Sequence, residues 1–165
     1  MILLPTTHFD TLAFDSPLKI EERHNSDGTR YLCVRLYNAT GAALVAGRPY
    51  VVEYDGDEET NPSVITPAAL AVYQHVVFAT EATATASWGW FVIQGTYDGV
   101  LVEGTTDVAK DDYLDCTPGT SAVALIKDHS TVRSTASVAR ACAAQAANSI
   151  VATRCYIFGD RVLVP

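Results

Sequence analysis

ATASWGWFVIQGTYDGVLVEGTTDVAKDDYL, residues Ala84 to Leu114, settles more of the architecture than any other segment of the chain. Trp88, Trp90, Phe91, Val92 and Ile93 stand close together, followed by Val100, Leu101 and Val102, and such residues fit a pleated, half-buried surface. Gly95, Gly99 and Gly104 punctuate the run where a backbone turns or another strand comes close. Asp98-Gly99 readily takes positive φ, so the segment is predicted to be a central hairpin with a two-residue turn at that pair. Trp88 and Trp90 flank Gly89 with matching parity, which puts both rings on one face of their strand.

Upstream, Tyr31 to Tyr37 alternates Leu32, Val34 and Leu36 with Tyr31, Cys33, Arg35 and Tyr37, the pattern of a half-buried strand with Arg35 on its wetter face. A second strand spans Tyr50 to Tyr54. Thr66-Pro67 supplies an N-cap oxygen and a ring that fixes the first helical φ, so a short helix is expected from Ala68 to Tyr73. From Gln74 the residues turn β-branched and aromatic, which predicts a strand that carries His75 as a core or interface side chain. Downstream, Val123 to Ile126 reads as a strand, and Cys155 to Phe158 with Arg161 to Val164 reads as a closing hairpin about Gly159-Asp160. Residues 134–149 are open to two readings: Ala favours helix, while the alternation of Val138, Arg140 and Cys142 permits a strand.

About seven to nine short strands with regular turn signals describe an all-β fold, a small β-barrel or β-sandwich with a minor helix. Residues 1–30, broken by Pro5 and Pro17 and closed by the turn Asn25-Ser26-Asp27-Gly28, read as an N-terminal arm or edge segment, and residues 31–165 as a single β-rich domain. The arm carries Ile2, Leu3, Leu4, Phe9 and Phe14, apolar residues suited to docking. Its short apolar run has no positive region before it and is interrupted by Pro5, which predicts neither a signal peptide nor a membrane-spanning segment.

Of the 165 residues, 48% are hydrophobic and 18% charged, fewer than the roughly 25% typical of soluble domains, and this points to surface covered by a partner. A formal net charge of −8 argues against direct contact with nucleic acid, which relies on clustered Lys and Arg. Cys33, Cys116, Cys142 and Cys155 lie far apart with no CxxC pair, so free and mostly buried thiols are expected in place of a zinc or redox site.

The chain lacks the fingerprints of nucleotide binding, zinc-dependent hydrolysis and the nucleophile elbow, and His8, His24, His75 and His129 are not paired by spacing. No catalytic residue, cofactor or metal ligand is therefore assigned. The acidic loop from Asp55 to Asn61 fails the EF-hand spacing and reads as solvated. Asp107, Asp111, Asp112 and Asp115 lie close enough in sequence to suggest an acid/base pair, but hairpin-end loops collect Asp for turn chemistry.

Several segments of this chain are similar to capsid decoration and cement proteins of tailed bacteriophages. These are Trp88 to Gly95, Val100 to Gly104, Thr106 to Leu114, the Ala-rich Val138 to Asn148 and Arg154 to Gly159, with Asn38-Ala39-Thr40-Gly41 and Gly47 at upstream turns. That family carries a Gly-Asp pair where Asp111-Asp112 stand, and Asp takes left-handed φ less readily than Gly. The resemblance implies a virion protein on the capsid exterior, assembled in the host cytoplasm. Its partners would be the major capsid protein and its own copies, commonly as a trimer, with Ile2, Leu3, Leu4, Phe9, Phe14, Trp88 and Trp90 as contact residues. It also implies strand and turn for the Ala-rich segment. The alternative is a host-glycan recognition module of a head fibre or tail-associated protein, using Trp88 and Trp90.

Overall fold

A computed structural model describes residues 19–53, 63–66, 75–103, 107–116, 125–127, 137–145 and 149–159. Ten strands lie within them: β1 (Ile20–His24), β2 (Arg30–Asn38), β3 (Pro49–Glu53), β4 (Ser63–Ile65), β5 (Val76–Ala79), β6 (Trp88–Glu103), β7 (Tyr113–Asp115), β8 (Leu125–Lys127), β9 (Ser137–Ala141) and β10 (Ile150–Ile157). No helix occurs among the described residues, and the helix expected after Thr66 falls on residues outside them. The fold is all-β.

The expected central hairpin is instead one strand of 16 residues, β6, which runs through Asp98-Gly99 without turning. The reason is non-local. Its first half is held by β2, from Tyr37↔Trp88 to Tyr31↔Gly95, and its second half by β10, from Ile157↔Gly95 to Ile150↔Glu103. Gly95 sits at the handover with φ 101, and a Cβ there would lie 2.6 Å from the carbonyl oxygen of Arg30, so only glycine lets β2 cross so closely.

All ten strands belong to one mixed sheet that closes on itself twice. β2, β4, β3, β5 and β6 form one circuit, and β6, β10, β9, β7 and β8 form a second, so that β6 is shared. Closure of this kind makes the body barrel-like and leaves few free strand edges. Each circuit has one parallel contact, β2–β4 in the first and β6–β8 in the second, and its other contacts are antiparallel.

The shared strand serves two cores. Phe91 and Ile93 point into the first with Val34, Leu36, Tyr50 and Val77, while Val92, Val100 and Val102 join the second with Leu114, Ala139 and Ile157. A register shift opposite Leu32/Cys33 inserts an extra residue in β6 near Ile93. Cys33, on the parity expected to be wetter, is completely buried because the second core covers that part of β2.

The two circuits repeat each other bond for bond. Gly47 N–H donates to Ala79 O at 2.7 Å and Asp111 N–H to Ala141 O at 2.8 Å; Ala79 N–H donates to Arg48 O and Ala141 N–H to Asp112 O. Likewise Thr80 N–H donates to Trp90 O as Cys142 N–H does to Arg154 O, and the bridge Leu44↔Thr83 is matched by Val108↔Gln145. Gly47 (φ 77) and Asp111 (φ 73) occupy the same left-handed place in the two turns. The chain therefore contains the same five-strand unit twice, with β6 ending one unit and opening the next.

The Ala-rich stretch is strand and turn where described: β9 is followed by a bend at Cys142 and a bridge at Gln145. Gln145 is buried, its side-chain amide donating to Val102 O and Ser149 O. β1 adds to the outer edge of β2, from Ile20↔Val34 to His24↔Arg30, so this part of the N-terminal region is an edge strand. β4 and β7 were not expected. Each is only three residues long, too short to show an alternating pattern.

Candidate interaction face

Alternation along β1, β2 and β6 gathers a set of large side chains on one outer surface. Register places Glu21 beside Cys33, Arg23 beside Tyr31, Arg35 beside Trp90 and Tyr37 beside Trp88. Paired residues of antiparallel strands share a face, so these side chains line up in a row on it, interrupted at Cys33, which is buried in the second core. Lys19 extends the row, because its carbonyl accepts a hydrogen bond from Arg35 N–H at 2.9 Å. Trp88 and Trp90 lie on the same face, as the spacing about Gly89 requires, and both are half-buried.

Cations and rings interleave along this row. The Arg23 guanidinium lies 4.5 Å from the centroid of Trp90 and that of Arg35 lies 5.9 Å from Trp88, both within range of cation–π attraction. Tyr37 meets Trp88 edge-to-face at 5.7 Å. Arg23 also bonds the Glu21 carboxylate. Arg35 and Lys19 have no carboxylate partner among the described residues, whereas Arg30 and Arg140 each have one and Arg154 has two. Beneath the row, burial pushes the Cys33 thiol up to about 12 and the Tyr97 hydroxyl up to about 12, and Tyr31 and Tyr97 pack 5.1 Å apart.

The β1–β2 turn is clamped to the body. Asn25 Nδ2 donates to Thr96 O at 2.7 Å, and Asp27 accepts from both the backbone and the hydroxyl of Thr29. Arg154, at the register shift of β10, donates to both carboxylate oxygens of Asp98 and to Asp27. Three segments far apart in sequence meet there. The Thr29 hydrogen bonds, supported by Arg154, pull the Asp27 carboxyl down to about 2.

Two of the four carboxylates considered for chemistry have local partners. Asp112 Oδ2 accepts from Ala109 N–H at 2.7 Å within its own turn, and Asp111 reaches Arg140 at 3.7 Å. Among the described residues, no group of three His, Cys, Asp or Glu side chains is placed to hold a metal ion. The acidic loop from Asp55 to Asn61 lies outside the described residues, as do Ile2, Leu3, Leu4, Phe9 and Phe14. All four cysteines are free; Cys33, Cys116 and Cys155 are buried and Cys142 is partly exposed.

Of the expected contact residues, the structure thus places Trp88 and Trp90, and it adds Lys19, Arg23, Arg35 and Tyr37 beside them. The parity of Arg35 and Tyr37 was visible in the sequence, but their pairing with the two tryptophans depends on a contact between strands about fifty residues apart. Compared with known proteins, the chain matches no family model and no curated sequence.

Proposed function

We propose that this chain is a virion structural protein that decorates and stabilises the outer surface of a phage capsid by binding the major capsid protein and its own copies, as a trimer. The observation that carries the proposal is the half-buried row of Trp, Tyr and Arg on the face of β1, β2 and β6. These residue types dominate the energetics of protein–protein contacts, and here they stand on a body whose strands close on one another. A closed body suits dense packing on a lattice, because few free edges remain to pair indiscriminately with neighbours. Repetition on a lattice then gives avidity without any single strong site.

The resemblance of Ala79 to Gly159 to decoration proteins supports the same reading. Glycan recognition through Trp88 and Trp90 is less favoured, since the Arg23 guanidinium already stacks on Trp90 where a sugar ring would lie.

Co-sedimentation with expanded heads tests the proposal. The intact chain is expected to pellet with heads, and a chain lacking residues 1–16 to remain folded but in the supernatant. An intact chain that stays in the supernatant refutes decoration, and undiminished binding of the shortened chain refutes the docking role of the arm.

A further inference from the structure

The row on β1, β2 and β6 also has a charge sign of its own. Among the described residues, Lys19, Arg23 and Arg35 share it with one carboxylate, Glu21, which already bonds Arg23. The whole chain carries −8, so this is a cationic strip on an acidic protein. The net negative charge repels a polyanion such as nucleic acid most strongly, while the local sign of the strip favours a segment that brings only a few carboxylates.

Arg35 is the centre of this arrangement. Its side chain is half-buried, its guanidinium lies 5.9 Å from the Trp88 ring centroid, and it lacks a carboxylate among the described residues. The planar guanidinium presents paired N–H groups that match a carboxylate. Trp88, Trp90 and Tyr37 flank it with apolar surface, and Lys19 lies on its other side.

We infer that this face docks an acidic polypeptide segment of a partner protein, with one partner carboxylate on the Arg35 guanidinium and neighbouring apolar side chains against Trp88 and Tyr37. Carboxylate specificity comes from Arg35 and Lys19, and the indoles exclude water around the pair. The inference rests on the shell-binding proposal in supplying the chemistry of one contact, but its test uses no shells, so either can fail alone.

The test titrates the intact chain with a short blocked peptide alternating Glu with Leu, following tryptophan fluorescence, with the Gln-for-Glu peptide as control. Saturable binding of the Glu peptide is expected, about tenfold or more tighter than the Gln peptide and weakened by salt. Arg35→Gln should abolish the difference between the peptides, and Lys19→Gln, at an exposed position, should reduce it without affecting the fold. Equal affinity for the two peptides, no binding, or unchanged preference in Arg35→Gln would overturn the inference. So would tighter binding of inorganic polyphosphate than of the Glu peptide. Quenching that tracks a rise in molar mass of the chain alone would overturn it in favour of a second copy as the occupant.

Discussion

Gly47→Ala probes the closure of the first circuit, and its cost can be worked from geometry. Gly47 has φ 77, and a Cβ there would stand 2.0 Å from the carbonyl oxygen of Gly99 in β6. The left-handed backbone alone costs an alanine about 1 kcal/mol. Relieving the clash requires the turn and β6 to move apart, which breaks the hydrogen bonds from Gly47 N–H to Ala79 O and from Leu101 N–H to Gly47 O. At about 1 kcal/mol each these add about 2 kcal/mol, and the lost packing against Leu101 raises the total to about 3–5 kcal/mol. Guanidinium unfolding followed by tryptophan fluorescence should show this loss with m unchanged, and the melting temperature should drop by roughly 10 °C.

The second circuit supplies the control. Asp111 occupies the equivalent turn with φ 73 and carries a side chain there already. Asp111→Gly relieves about 1 kcal/mol of backbone strain but adds unfolded-chain entropy of similar size and loses an exposed ion pair with Arg140, so its stability should stay within about 1 kcal/mol of wild type. A Gly47→Ala protein that loses less than about 1 kcal/mol would refute the close contact between turn and strand.

Two further outcomes follow from the ionisable groups. Asp27 has its carboxyl lowered from 3.8 to about 2, chiefly by the Thr29 hydroxyl and backbone N–H, so its stabilising contribution is complete above pH 3.8 and is lost as pH falls through about 2. Asp27→Asn should therefore melt below wild type at pH 6, with the two curves converging toward pH 2; a constant gap would show that the charge is not responsible. Burial raises all four thiols, Cys33 and Cys116 to about 12, while Cys142 alone is partly exposed. Brief native alkylation at pH 8 should label Cys142 first, with the other three labelled only after unfolding, as read by peptide mass spectrometry. Early labelling of Cys155 would contradict its burial.

The all-β class was legible because the apolar residues of β2 and β3 fall in short runs bounded by Gly, Pro and Asp, and no long segment has helical periodicity outside the Ala-rich stretch. Trp88 and Trp90 were placed on one face by local parity alone. Asp98-Gly99 misled because a dipeptide able to turn does so only if the flanking strands pair with each other, and here both flanks pair elsewhere, with β2 and with β10. The twofold repetition was invisible for a related reason: its two halves share hydrogen bonds while their residues differ, Gly47 against Asp111 and Thr83 against Gln145.

The sequence by itself determined the strand-forming character and the matched parity of the two tryptophans, since both depend on neighbours within a few residues. Only the tertiary structure decided that β6 runs unbroken between two cores, that Arg154 joins Asp27 to Asp98, and that Arg35 lies among Trp88, Trp90 and Lys19. Those arrangements depend on which distant strands close each circuit, a choice made by burying two cores at once that no local preference encodes.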